Sequence, residues 1–309
     1  MEIQRLEYLV KVIETGSFSR AAAVLCMSQS ALSRQIMELE QSVGQRLLLR
    51  TGRGVTPTEA GKLLLSHARA ILSIAQHATQ ELADLDAAPR GRVTLGLPPL
   101  MALRHGGALI HAFRSRFPEA MLTLVEGLSM NLREWLVDGR LDAAVLYDAP
   151  PLPQMDYELL RREPLALFGS ARGPALPAEV SIAKLPEYPL VLPSSPNAIR
   201  SLMDVALREK GVELKVIAEV ASAPTLLALV SQGVGFTILP DSAVRTRLDA
   251  EHLQIAPLSA PTIRNRVMLA VPRTRPLSRL GRALIQLVKQ TLGSDGWQAG
   301  VQGGGGSTR

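Results

Sequence analysis

The chain holds 309 residues, with 34 Lys/Arg against 28 Asp/Glu, a net charge of +6 and an isoelectric point near 9.8. That length exceeds the roughly 100 to 200 residues of one domain, so more than one core is expected, each sizeable enough to need neither metal nor disulfide. A single cysteine, Cys26, excludes an internal disulfide framework and fits a reducing compartment; free cysteine being a small hydrophobe, it is expected to be buried.

The opening MEIQRLEYLVKVIETG mixes charged with apolar residues and lacks the uninterrupted apolar region of a secretory leader. No later apolar run is long enough for a bilayer, so a soluble, cytoplasmic protein without membrane contact is expected. The basic excess is local. Residues 1–90 carry ten Lys/Arg against nine Asp/Glu, whereas 20–69 carry seven (Arg20, Arg34, Arg46, Arg50, Arg53, Lys62, Arg69) against three (Glu38, Glu40, Glu59). A polyanion is the natural partner for that stretch.

Ile3, Leu6, Leu9, Val10 and Ile13 recur at helical spacing and stop at Gly16, a helix-ending residue. Ser17 or Ser19 can cap a second helix through Ala21-Ala22-Ala23 to about Leu25, its small side chains allowing a close crossing. Ser28 then caps a third, whose Leu32, Ile36, Leu39 and Val43 form one buried stripe. Ser30, Ser33, Arg34 and Met37 consequently face outward. Past Gly44, Leu47 to Arg50 and Val55 to Pro57 flank Thr51-Gly52-Arg53-Gly54, a hairpin signal that predicts a small wing with arginines at its tip.

Thr58 caps the next helix, with Glu59 in its first turn. Along it Leu64, Ala68, Ile71, Ala75, Ala78, Leu82 and Leu85 alternate in steps of four and three, a seam that pairs two such helices or packs on the chain's own second domain. Ala87-Ala88-Pro89-Arg90-Gly91 makes a hinge. Beyond it short apolar strands (Val93 to Leu97, Met121 to Val125, Ala143 to Leu146, Leu165 to Phe168, Leu190 to Leu192, Val216 to Val220, Phe236 to Leu239, Val267 to Val271) alternate with helices. This is the texture of a mostly parallel α/β unit, and breaks near 161–164 and 264–267 divide it into two similar lobes crossed twice. The division predicted is an N-terminal domain over 1–58, a linker helix over 59–88, and a third domain over 91–292. Its lobe I takes 91–162 and 268–292, its lobe II 163–267. The glycine-rich 293–309 is expected to be disordered.

A short helix, a sharp turn and a second helix exposing polar groups form a helix-turn-helix, whose second helix enters the DNA major groove. Arg34 can donate two hydrogen bonds to a guanine edge and Gln29 can pair with an adenine edge. Ser30 and Ser33 reach phosphate or base, Ser28 presents helix N–H groups to phosphate, and Arg50 and Arg53 on the wing reach backbone or minor groove. An αα corner of a plain helical core has no reason to expose those groups.

Metal and catalytic signals are lacking. His67, His77, His105, His111 and His252 never stand at ligand spacing near acids or Cys26. In TPTEAGKL, Leu63 stands where a phosphate-binding loop needs Ser or Thr, and Gly106-Gly107 fails the dinucleotide pattern. Neither a cofactor nor an enzymatic activity is expected.

On FSRAAAVLCMSQSALSRQIMELEQSVGQRLLLRTGRGVTPTEAG, Phe18 to Gly61, the sequence resembles the LysR-type transcriptional regulators. It shares their alanine-rich support helix, SQxALSxQIxxLE recognition helix, arginine wing and TxAG linker start. GLPP at Gly96 to Pro99 and VEGLSMNLREWLVDGRLDAAVLYD at Val125 to Asp148 are similar to that family's nitrogen-assimilation-control branch. The resemblance implies a fold of winged helix-turn-helix, coiled-coil linker and two-lobed α/β effector domain like periplasmic binding proteins. It also implies a homodimer or homotetramer on interrupted inverted repeats of double-stranded DNA, with a small-molecule effector and RNA polymerase as further partners.

By the same likeness the effector cleft draws on the Pro98-Pro99-Leu100-Met101 loop, Ser129, Asn131, Tyr147, Ser194, Ser195, Asn197 and Thr225. Hydroxyls at helix N-termini can serve an anion or merely cap the helices. Leu100 and Met101 stand where anion-binding members carry Ser or Thr, which points to an apolar or aromatic ligand, or to none.

Overall fold

The computed structural model describes residues 2–52, 54–83, 89–244, 251–273 and 275–293. Arg53, Leu85 and the tail beyond residue 293 lie outside the described residues.

The N-terminal unit packs α1 (Ile3–Thr15), α2 (Phe18–Val24) and α3 (Gln29–Val43) around Leu6, Leu9, Val12, Ala21, Leu32, Ile36 and Leu39. The helix ends are fixed locally. Ser17 and Ser28 accept from the N–H groups of Arg20 and Ala31, and Gly16 and Gly44 take the left-handed conformation that closes α1 and α3. At the end of α2 the left-handed position is Cys26, φ 53°, with the Cys26 N–H on Ala23 O and the Met27 N–H on Ala22 O. That turn points the thiol away from the core, so Cys26 is exposed and the expected burial is overturned.

The wing pairs β1 (Leu48–Thr51) with β2 (Gly54–Pro57), Thr51 opposite Gly54. It is clamped at both ends. Glu40 accepts from the N–H groups of Leu47 and Leu48 at 2.7 and 3.1 Å, and Thr58 Oγ1 donates to Arg46 O at 2.7 Å while accepting from the Gly61 N–H. Gly54 sits so close to Gly16 O that a side-chain carbon there would lie 2.6 Å from it, which leaves room only for glycine.

Helix α4 (Glu59–Ala83) lies along α1, and this splits the predicted seam. Ala68 is buried in the chain's own N-terminal core, and Leu64 and Ile71 pack against it while staying partly exposed. Further along, Ala78 and Leu82 are exposed, as are Leu63 and Ile74 on the outer face.

The C-terminal domain opens with β3 (Gly91–Leu97), α5 (Pro99–Arg116), β4 (Ala120–Glu126), α6 (Ser129–Val137) and β5 (Ala143–Tyr147). Then β6 (Met155–Ser170) runs from one lobe into the other, followed by β7 (Val180–Ser181), β8 (Leu190–Pro193), α7 (Ala198–Arg208), β9 (Val216–Val220), α8 (Ala223–Ser231) and β10 (Thr237–Pro240). The chain returns through β11 (Leu253–Ser259) and β12 (Arg264–Pro272) to α9 (Arg279–Leu292).

The main sheet has the order β4-β3-β5-β12-β6-β11-β7, with β10 also on β6, and β8-β9 form a second, parallel pair. Because β6 and β12 carry the chain in opposite directions between lobes, β12 is antiparallel to β5 and β6, and β10 and β11 are antiparallel to β6. The sheet is therefore mixed, not mostly parallel as expected. Strand β6 changes partner at the crossing, pairing β12 over Met155 to Pro164 and β10 and β11 over Leu165 to Ser170.

Candidate nucleic-acid interface and inter-lobe cleft

On α3 the buried stripe turns the opposite side to solvent. Ser28, Gln29, Ser30 and Arg34 are exposed, Arg34 at 72%. Ser28 Oγ lies 3.1 Å from Ser30 Oγ, and Arg34 Nε is 3.5 Å from Glu38, a loose tether that leaves most of the guanidinium in water. Glu38 is itself held by Arg5 at 2.8 Å. Ser33, partly exposed on the same side, accepts from Arg50 Nη2 at 2.9 Å. Arg50 also lies 4.8 Å from the Phe18 ring centroid, so the wing arginine is stacked on α2 and bonded to α3. Ser33, Arg50 and the exposed residues of α3 thus share one surface, with Arg5 and Glu38 as supports that sequence reasoning missed.

Two cavities lie between the lobes. The deep one, about 40 Å3, is lined by Pro99, Leu100, Ser129, Tyr147, Asn197 and Pro240, among others, and has room for about one water. The outer one, about 450 Å3, shares Ser129, Tyr147 and Asn197 and extends over Arg133, Asp148, Leu202, Val205 and Arg266. Of the expected cleft residues, Pro99, Leu100, Ser129, Tyr147 and Asn197 are brought together. Met101, Asn131, Ser194, Ser195 and Thr225 line neither cavity.

The reasons are local. Met101 turns into the core of lobe I and contacts Arg161. Asn131 lies two residues inside α6, and exposed Thr225 lies inside α8, past its cap Ser222. Ser194 gives its N–H to Val220 O beside β9, and Ser195 is exposed. The polar groups that do reach the cleft are engaged: Asn197 Oδ1 caps α7, and Ser129 Oγ accepts from the Tyr147 N–H at 2.9 Å. Plain capping accounts for Asn197.

Beneath the cleft a buried polar row crosses the strands that join the lobes. Tyr147 stands opposite Val267, Val267 opposite Arg161, and Asn265 opposite Glu163, so all five share one face of the sheet. Arg161 reaches Glu163 at 2.7 Å and gives Nη1 to Leu292 O at the end of α9. Glu163 Oε2, both amide atoms of Asn265 and His105 Nε2 are buried without a hydrogen-bond partner among the described residues. Burial, reinforced by Arg104 and Arg161, lowers the His105 pKa to about 3, so the imidazole is neutral. Burial, with the Glu163 carboxylate adding to it against Arg161 and Arg104, raises the Tyr147 phenol far above its usual range. Only a cross-strand pairing reveals this row, and local sequence carries no sign of it.

Among the described residues no group of three or more His, Cys, Asp or Glu is placed to hold a metal, and no helix is long and apolar enough to cross a membrane.

Comparison with known proteins agrees with this architecture. The family "Bacterial regulatory helix-turn-helix protein, lysR family" matches residues 3–62, and "LysR substrate binding domain" matches 86–293. The chain is 35% identical over 295 residues to the nitrogen assimilation regulatory protein nac of Escherichia coli (strain K12), covering 95% of this chain and 96% of that protein. A full-length OxyR variant from Pseudomonas aeruginosa shares the fold at a TM-score of 0.76 and 24% identity, covering 94% of each chain. Full-length CbnR complexed with its target DNA shares it at a TM-score of 0.56 and 23% identity, covering 94% of this chain and 100% of that one. The chain belongs to the LysR family, and is a DNA-binding transcriptional regulator with an effector-binding domain.

Proposed function

We propose that Gln29, Ser30 and Arg34 read base edges in the major groove while Ser28, Ser33 and Arg50 fix the position of α3 on the phosphates. The observation that carries this is the exposed face of α3, with a 72% exposed guanidinium beside a wing arginine bonded into the same surface. CbnR is described as complexed with its target DNA, and the same docking is inferred here from the shared fold. Replacing Arg34 by alanine is expected to cost about 1 to 3 kcal/mol on the operator and to relax one base position. Equal losses on operator and random DNA would remove Arg34 from the readout.

Two copies pair through the outer face of α4, where Leu63, Ile74 and Leu82 are 64, 38 and 71% exposed. A two-fold dimer then meets two half-sites of an interrupted inverted repeat, and two dimers form a tetramer. Expected domain limits are 1–58 for the winged unit, 59–88 for the linker and 91–292 for the effector domain, with lobe I over 91–162 and 268–292 and lobe II over 163–267. The protein acts in the cytoplasm, contacts RNA polymerase at the promoter, and catalyses no reaction.

Effector control rests on closure of the lobes, which a ligand changes only if it binds the two states unequally. A regulator controlled by abundance alone is the second reading, favoured by the 40 Å3 deep cleft. Thermal-shift screening of the full chain against metabolites separates the two.

A further inference from the structure

The outer cavity has a chemistry that the deep cleft lacks. Its walls bring Leu128, Met130 and Pro150 of one lobe against Pro196, Leu202 and Val205 of the other. Two of these, Met130 and Val205, are 41 and 58% exposed. About 450 Å3 is within the range that small organic ligands fill.

The charged residues of its lining are two guanidiniums and one carboxylate. Arg266 is already neutralised, with Nε 2.8 Å from Asp148 Oδ1 and its backbone N–H on Asp148 Oδ2. Arg133 is not: Nη1 donates to Pro150 O at 3.3 Å, and no carboxylate lies within ion-pair distance of it among the described residues. Helices α6 and α7, nine and eleven residues long, both begin at this cavity, so their positive ends converge there.

Taking the inter-lobe space as the effector site, we infer that this mouth binds a small organic monocarboxylate with an apolar body, its carboxylate on Arg133 and its body between Met130 and Val205. The excess cation selects an anion, and the apolar walls select against small hydrophilic ones. A dicarboxylate would leave one charge against apolar walls and is disfavoured. The ligand touches both lobes, so it favours closure to the extent that it contacts them more tightly in the closed state.

Calorimetric titration of the full-length protein with 3-phenylpropionate, 3-phenylpropionamide and acetate tests the assignment, with operator binding measured on the same samples. The carboxylate is expected to bind about tenfold tighter than its amide, and acetate more weakly than either. In Arg133→Gln the preference for carboxylate over amide should vanish; in Arg133→Lys, which keeps the charge, most of it should remain. Val205→Asp should abolish carboxylate binding while circular dichroism and operator affinity stay unchanged.

Equal affinity for acid and amide, a preference that survives Arg133→Gln, or no heat from 3-phenylpropionate would overturn the inference. In the last case intact operator binding leaves the regulator itself standing, whereas lost operator binding with intact carboxylate binding would do the reverse.

Discussion

The buried guanidinium of Arg275 donates to the hydroxyl of Ser73, tying lobe I to the linker helix of the same chain. Arg275 also serves the carbonyls of Gly139 and Leu141, and Arg69 on α4 adds contacts to Asp138 at 3.4 Å and to Glu14 at 3.3 Å. Burial lowers the Arg275 pKa from its usual value. Movement of lobe I is thereby linked to the helix that leads to the DNA-binding unit.

Arg275→Ala strands two carbonyls and should cost about 2 to 3 kcal/mol, and Ser73→Ala about 1 kcal/mol. The double variant should cost less than the two added together, since the residues share one bond. Denaturation of the four proteins checks this, and strict additivity would mean that the contact is not made in solution.

Arg161 and Glu163 are an ion pair with side chains only 7 and 4% exposed. Arg161→Met leaves a buried carboxylate unpaired and should cost about 3 to 5 kcal/mol. Adding Glu163→Gln should recover much of that loss. A double variant less stable than Arg161→Met in a urea titration would show that Glu163 is held by something other than Arg161.

Cys26 occupies a left-handed position, φ 53°, where glycine carries no steric penalty. Cys26→Gly should raise stability by up to about 1 kcal/mol, or cost nothing, with operator affinity unchanged. A drop in the thermal midpoint would show that the thiol contributes packing that its exposure does not suggest.

His105 makes stability depend on acid. The unfolded imidazole takes up a proton near 6.5, but the folded one does so only near 3, so the unfolded state binds more protons between those values. Stability from this group is present above the unfolded value and is lost as pH falls. At about pH 5 it should be about 2 kcal/mol below its value at pH 7, and His105→Gln should flatten that slope. An unchanged slope in urea titrations of the variant would assign the pH dependence elsewhere.

Local features of the N-terminal unit are legible in the sequence because they are short-range. Gly16, Ser17, Ser28 and Gly44 end or start helices where expected, and Leu32, Ile36 and Leu39 form the buried stripe. Periodicity shows that a face is covered but not by what: Ala68 is buried in the chain's own core, with Leu64 and Ile71 packed against it. Strand β6 shows only its apolar end, Leu165 to Phe168, since its first half alternates with charges, and β11 hides behind Pro257. Consecutive residues of a helix point about 100° apart, so Leu100 reaches the cleft and Met101 the core. Arg133 escaped notice because only the fold brings it opposite Leu202 and Val205.

Sequence reading by α3 is the step from which the other roles of the DNA-binding unit follow. Selection of bound fragments from random duplex DNA by full-length protein, run beside Arg34→Ala, addresses this directly. Wild type should enrich an interrupted inverted repeat, and Arg34→Ala should lose preference at one position in each half-site while keeping the rest. Failure to enrich any motif at low salt, or an identical motif from Arg34→Ala, would contradict it.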